Sequence, residues 1–329
     1  MSDRLLSLEG ILPTYPRHPV PRVVREQSGI LRARFDCMAS PCEILLSDIA
    51  VPLPEQLTLI ANAITEAWRI EHKYSRYEAD NTWAKLHQQR GQPQNVDAET
   101  QRLLLFANQA WQLSDGLFDI TSGILRQCWR FNGQNVFPEK SQVEELLPYI
   151  GWQRLQWLPE QSTLMLPNGI ELDFGGLGKE YAVERAMSQL LEGVANSETY
   201  RLLVNLGGDI AVRCGQLATT PWRIAIEQAD TDGGEHSHIT LANGAVATSG
   251  DTKRHIKHQG KRYGHILNPH TGYPITAAPL SVTVIGHDCI QAGMLATFTQ
   301  LQGTNALDYI RATGVPFVLQ TAEGSFQSE

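Results

Sequence analysis

The sequence predicts an α+β fold, and three observations predict it. Strand-like and helix-like stretches are mixed without the regular strand–helix–strand alternation of a doubly wound sheet. Apolar residues recur at helical spacing in separated blocks (54–77, 98–114, 182–193, 289–302), with short β-rich runs such as 42–47 and 281–286 between them. The 329 residues are 42% hydrophobic and 19% charged, which allows a large buried core.

The elements follow in order. Residues 1–29 carry four prolines and read as an irregular lead-in, with one domain over 30–329. Strands are expected at 30–35 and 42–47. Leu57, Ile60, Ile64, Ala67 or Trp68, and Glu71 then fall at i, i+3/i+4 steps, a helix with Pro54 in its first turn. A helix over 98–114 is stopped by Asp115-Gly116. A short one follows Ser141, where Ser141 and Glu144 match a capping box. Strands are expected at 200–213, 221–227, 238–248 and 281–286, helices at 289–302 and 304–313, and a closing strand at 315–320.

Charge and composition exclude some classes. The formal net charge is −8, so there is no basic footprint for nucleic acid, and KRHIKHQGKR (253–262) reads as a solvated hairpin. The N-terminus lacks a 7–15-residue apolar core and no run of 18 apolar residues exists, so neither export nor a membrane is expected. Five cysteines without a CxxC pair fit reduced thiols, and the expected location is cytoplasmic.

Two stretches invite chemistry. LDFGGLGKEYAV (172–183) puts three glycines between an apolar run and a helix, the place where backbone N–H groups approach a phosphate. It is neither GxGxxG nor a Walker loop, and alone it reads equally as a tight turn. The second is AVATSGDTKRHIKHQGKRYGHILNPHTGYPI (245–275), in which His265 is either a general base or a hydrogen-bonded core histidine. His236-x-His238 and His255-x-x-His258 lack cysteine or carboxylate partners at zinc spacing. GxSxG is absent, so a nucleophilic serine is unsupported.

Taken together, FDCMASPCEI (35–44), YSRYEADN (74–81), GLFDITSG (116–123), LDFGGLGKEYAVERA (172–186), VNLGGDI (204–210), PWRIAIE (221–227), ATSGDTKR (247–254) and YGHILNPHTGYPI (263–275) stand in one order. In that order the chain resembles the ApbE-type FAD:protein FMN transferases. The resemblance implies a single ApbE-like domain, a mixed or antiparallel sheet core with flanking helices. It implies FAD as substrate, Mg²⁺ as cation, and FMN transfer to a Thr/Ser hydroxyl of a target protein with release of AMP. It assigns FAD contacts to Met38, Tyr77, Leu117, Phe118, Asp119, Asp173, Lys179 and Ile266, a base role to His265, and Mg²⁺ ligation to the Gly176 carbonyl and Thr297. The chain itself carries no acceptor motif of the D-G-x-x-[ST] type, so the target is another protein, neither nucleic acid nor membrane.

One position departs from the family pattern. Members read A-D-A-L-A/S-T where this chain reads Ala292-Gly293-Met294-Leu295-Ala296-Thr297, so Gly293 stands where an Mg²⁺-ligating aspartate is usual. Asn268 for Asp and His270 for Arg are lesser departures. Three readings stay open: another carboxylate (Glu180, Asp251 or Asp288) takes over, the cation is held without one, or the chain is an FAD-binding protein with slow hydrolysis at most. Gly293→Asp is expected to tighten the metal dependence if the cation site is shared with the family, and to leave it unchanged if another residue already supplies the carboxylate.

Overall fold

Strand Leu31–Cys37 buries Leu31, Ala33, Phe35 and Cys37 and turns the residues between them outward, the period of two that a half-covered sheet imposes. A computed structural model of the chain describes residues 3–13, 18–228, 237–251 and 254–328. Within it the chain forms two compact units. The first is Met1–His72, Gly178–Thr248 and Thr283–Gly293, and the second Lys73–Leu177, Ser249–Val282 and Met294–Glu329.

The first unit is built on a sheet whose strands run in the order Arg4–Leu6, Arg22–Arg25, Leu31–Cys37, Ser40–Ser47, Arg201–Leu206, Asp209–Cys214, Gly244–Gly250, Ser281–Gly286. The first six pair antiparallel with one another in turn. The lead-in therefore differs from the irregular segment expected. Pro13, Pro19 and Pro21 lie between strands, and R-V-V-R (22–25) buries Val23 as it pairs with Arg34–Leu31. The stretch 200–213 is two strands, because Gly207 and Gly208 adopt φ of 61° and 102° and fold the chain back on itself. Likewise 238–248 divides into Ser237–Leu241 and Gly244–Gly250.

Arg201–Leu206 buries Leu202, Leu203 and Val204 in succession, so both of its faces are covered. On one face Leu45, Leu203, Val212 and Val246 cluster with Trp222 and Ile224 of the hairpin Trp222–Ile226/Ser237–Leu241. The helix Gly178–Gly193 packs on Arg201–Leu206 and Asp209–Cys214 through an apolar stripe of Val183, Ala186, Met187 and Leu190. The helix Leu53–Tyr74 buries Ile60, Ile64 and Trp68, and Trp68 Nε1 donates to the Asp36 carbonyl at 2.9 Å.

The second unit holds the helices Thr82–Gln88, Ala98–Leu113, Lys140–Leu146 and Ala306–Thr313, a 3₁₀ helix Ile120–Gln127, and small antiparallel sheets. Ala98–Leu113 ends where expected, with Asp115 and Gly116 at positive φ. The short helix after 139 is capped differently from the expectation. Glu139 is the N-cap and exchanges the box hydrogen bonds with Gln142, two residues ahead of Ser141 and Glu144, so Ser141 lies inside the helix. The basic stretch forms the hairpin His255–His258/Lys261–Gly264 around Gln259-Gly260, Lys253 lying outside the described residues. The C-terminal strand Phe317–Thr321 is followed by a second, Gly324–Gln327, that completes a hairpin.

Candidate functional site

In the first unit, Met38 and Ala39 form the two-residue turn between paired Cys37 and Ser40, with φ of 51° and 55°. Two positive φ values are what this hairpin turn requires, and Asn-Gly meets them without strain. Met and Ala pay roughly 1–2 kcal/mol each for that geometry. An outlier of this kind is motive to look for a ligand nearby. The half-buried Met38 is carried on a rigid tip, since Gly207 packs against Ser40 and Trp68 holds Asp36.

Beside that turn stands a charged trio. Lys179, in the first turn of Gly178–Gly193, places Nζ 2.8 Å from Oδ2 of Asp209, whose side chain is 4% exposed. Burial acts to lower the Lys179 pKa, and the Asp209 charge overrides it, so the ammonium titrates above its ordinary value. Asp209 Oδ1 accepts from the Thr248 N–H at 3.4 Å. Glu180 is buried next to them. Burial first, and then the Asp209 charge, push its carboxyl up to about 7 against the attraction of Lys179.

Glu180 also bears on the departure at 293. Glu180 and Glu184 lie one turn apart on the same face of their helix. Glu184 Oε1 accepts the Cys289 N–H at 2.7 Å, at the start of the helix Cys289–Leu301. One turn along that helix a Cβ on Gly293 would fall 2.6 Å from Glu180 Cγ and 2.7 Å from its Oε1. Of the three carboxylates left open by the sequence, Asp251 pairs with Arg262 at 2.7 Å and Asp288 accepts the Gln291 N–H at 2.8 Å. Glu180 is the one that lies against Gly293.

In the second unit, Asp173 opens the glycine turn. Its N–H donates to Ile120 O at 2.8 Å and its Oδ1 accepts from Gly175 N–H at 2.9 Å. Gly123 passes so close to Asp173 that a Cβ there would collide with the Asp173 side chain, which gives the last glycine of GLFDITSG its reason. Arg76 forms an ion pair with Asp173, donates to Tyr77 Oη at 3.0 Å and lies over the Tyr77 ring at 5.1 Å. Tyr77 itself is 78% exposed. The structure thus brings Tyr77 and Asp173 together through Arg76.

The helix Thr82–Gln88 holds this turn from behind. Trp83 Nε1 donates to the Leu172 carbonyl at 3.0 Å, and His87 Nε2 accepts the Leu172 N–H at 2.8 Å. With Nδ1 2.7 Å from Trp83 O, His87 is the neutral Nδ1–H tautomer, and burial holds its pKa below 6.5. The unfolded chain therefore takes up this proton first. Stability is full above about pH 6.5 and falls as pH drops through the folded pKa. Urea melts between pH 7.5 and 5 are expected to show that loss, and His87→Phe to flatten it. Equal slopes for the two proteins would contradict the assignment.

The GLFD residues divide in their contacts. Leu117 is half-buried. Phe118 is buried between Phe298, at 6.0 Å edge-on, and Gly176, whose Cβ would stand 3.1 Å from the ring. Asp119 caps the 3₁₀ helix: its Oδ1 accepts from Thr121 N and Oγ1 at 2.8 and 2.6 Å, and its Oδ2 from Trp152 N at 2.8 Å. Both oxygens are committed to holding the loop.

His265 and Ile266 are half-buried in a loop whose ends are tied together. Ile266 O accepts from Ile275 N at 3.0 Å, and Leu267 bridges Pro274. Phe131 meets the His265 ring edge-on at 6.2 Å. Asn268 Oδ1 accepts from His270 N and Thr271 N at 2.8 and 3.2 Å, so the asparagine fulfils the turn-forming part of the usual aspartate. Thr297 lies one turn beyond Gly293 on its helix, with Oγ1 3.5 Å from Ser249 Oγ. Among the described residues no three His, Cys, Asp or Glu side chains gather as a metal site, and no helix is long and apolar enough to cross a membrane.

The sequence profile of the ApbE family matches residues 38–319. The chain belongs to the ApbE family. The relatives it resembles include the FAD:protein FMN transferase of Haemophilus influenzae, 29% identical over 240 residues covering 69% of this chain and 68% of that one. That of Salmonella typhimurium is 27% identical over 262 residues, covering 76% and 73%. Among solved structures, the ApbE protein of Thermotoga maritima superposes with a TM-score of 0.80 at 28% identity, over 91% of this chain and 96% of that one. The flavin transferase ApbE of Vibrio cholerae gives 0.76 at 24% identity over the same shares, a likeness of fold.

Arg76 and Asp209, the ion-pair partners of Asp173 and Lys179, are not among the residues the sequence singles out. Each sits inside a quoted motif (YSRYEADN, VNLGGDI), and the missing signal was its partner far along the chain: Asp173 for Arg76 and Lys179 for Asp209.

Proposed function

We propose that the chain is a transferase that binds FAD and moves its FMN half onto a Thr or Ser hydroxyl of a target protein. The observation that carries the reading is the family match over 38–319, which includes every residue the flavin assignment uses. The hydroxyl oxygen forms a bond to the FMN phosphorus, the pyrophosphate P–O bond breaks, AMP leaves, and the hydroxyl proton passes to His265. Met38, Tyr77, Leu117, Phe118 and Ile266 are assigned to the flavin nucleotide and Lys179 to its charge. Asp173 acts with Arg76, and Asp119 acts by fixing the loop that carries Phe118.

The residues also fit a hard divalent cation. Glu180 Oε2, in the first unit, is buried with no hydrogen-bond partner among the described residues, a hard oxygen of the kind such a cation takes. When bound, Mg²⁺ would offset pyrophosphate charge as the hydroxyl attacks. Incubation with FAD, Mg²⁺ and a peptide bearing D-G-x-x-[ST] is expected to give a fluorescent peptide band on a denaturing gel. Flavin that dissociates completely on denaturation, with the peptide unlabelled, would favour the carrier reading, an FAD-binding protein with at most slow hydrolysis.

A further inference from the structure

Glu180 is out of place as an ordinary helix residue. It is 8% exposed, its Oε2 finds no hydrogen-bond partner among the described residues, and its nearest cation, Lys179, already pairs with Asp209. A carboxylate desolvated in this way is costly unless something positive meets it. It also stands in a particular space. The contact of Glu184 with Cys289 fixes the register of the two helices, and one turn on, Glu180 Cγ and Oε1 fill the room that a side chain at 293 would enter. Asp251 and Asp288, the other carboxylates open to the role, are engaged with Arg262 and a helix N-terminus.

We propose that Glu180 supplies, from the helix Gly178–Gly193, the anionic cation ligand that position 293 lacks, and that Gly293 is glycine because this carboxylate occupies its side-chain space. The proposal rests on the flavin-transfer reading above and adds to it the residue that holds the metal. It takes the second of the two outcomes expected for Gly293→Asp. An aspartate there collides with Glu180 and sets a second carboxylate against it, so the single change does not tighten metal binding.

The test uses the full chain with FAD bound and Mn²⁺ as probe, free Mn²⁺ being read by electron paramagnetic resonance. FAD binding is measured separately by flavin fluorescence. The wild type is expected to bind Mn²⁺, and Glu180→Gln to bind it about 10-fold or more weakly while still binding FAD. Gly293→Asp alone is expected to bind no more tightly than wild type. The double exchange Glu180→Gly with Gly293→Asp relieves the collision and returns a carboxylate to the same space, and it is expected to regain Mn²⁺. Thermal melts of all four proteins keep folding apart from binding. Glu180→Gln with wild-type Mn²⁺ affinity, or a double exchange that is folded and binds none, would overturn the proposal. So would a wild type that binds FAD but no Mn²⁺, which leaves the flavin reading standing. A wild type that binds no FAD removes both.

Discussion

Lys179→Met is expected to lower the stability of the folded chain by about 3–5 kcal/mol. The substitution keeps the aliphatic stem and removes the ammonium that lies 2.8 Å from the almost fully buried Asp209. Asp209 and its neighbour Glu180 are then left as two desolvated carboxylates without a cation, and breaking a buried pair from one side costs far more than replacing both partners. Denaturant melts check this as a lower midpoint at unchanged slope. Adding Asp209→Asn is expected to return part of the loss, because the charge left unpaired is removed with it. A single-variant change under about 1 kcal/mol, the size of an exposed ion pair, would show that solvent reaches the pair freely.

His265→Gln is expected to reduce flavin transfer by about 10²–10⁴-fold, the contribution of a positioned general base. The loop should survive the change. Its closure depends on Ile266, Asn268 and Gly272 backbone bonds, and Trp129 Nε1 donates to Gly272 O at 2.7 Å, none of which involves the imidazole. The effect should therefore fall on kcat, with the KM for FAD little changed. A comparable rise in KM with kcat intact would make His265 a binding contact instead.

Much of the fold was legible because local pattern and tertiary demand agree. Helix Ala98–Leu113 and strand Ser281–Gly286 carry clear apolar periods and clear stops, and both lie where their residues put them. The glycines of VNLGGDI were legible as glycines but not as a hairpin, since a run that is apolar on both sides of the turn reads as one long strand. Ser141 matched a capping box that Glu139 forms two residues earlier, a choice set by side-chain contacts that spacing alone does not rank. The site was legible as motifs and illegible as pairs. Gly293 read as a loss because its neighbour in space, Glu180, is 113 positions away in the chain, and only the packing of two helices brings them together.

Cleavage of FAD by a protein hydroxyl is the reaction proposed for this chain. Its most direct test follows AMP and flavin-bearing acceptor peptide in one reaction, by chromatography and intact mass, with FAD, Mg²⁺ and a D-G-x-x-[ST] peptide. One AMP is expected for each peptide that gains FMN, and no adduct when the acceptor Thr or Ser is replaced by Ala. FAD bound tightly with neither AMP nor adduct formed would contradict it.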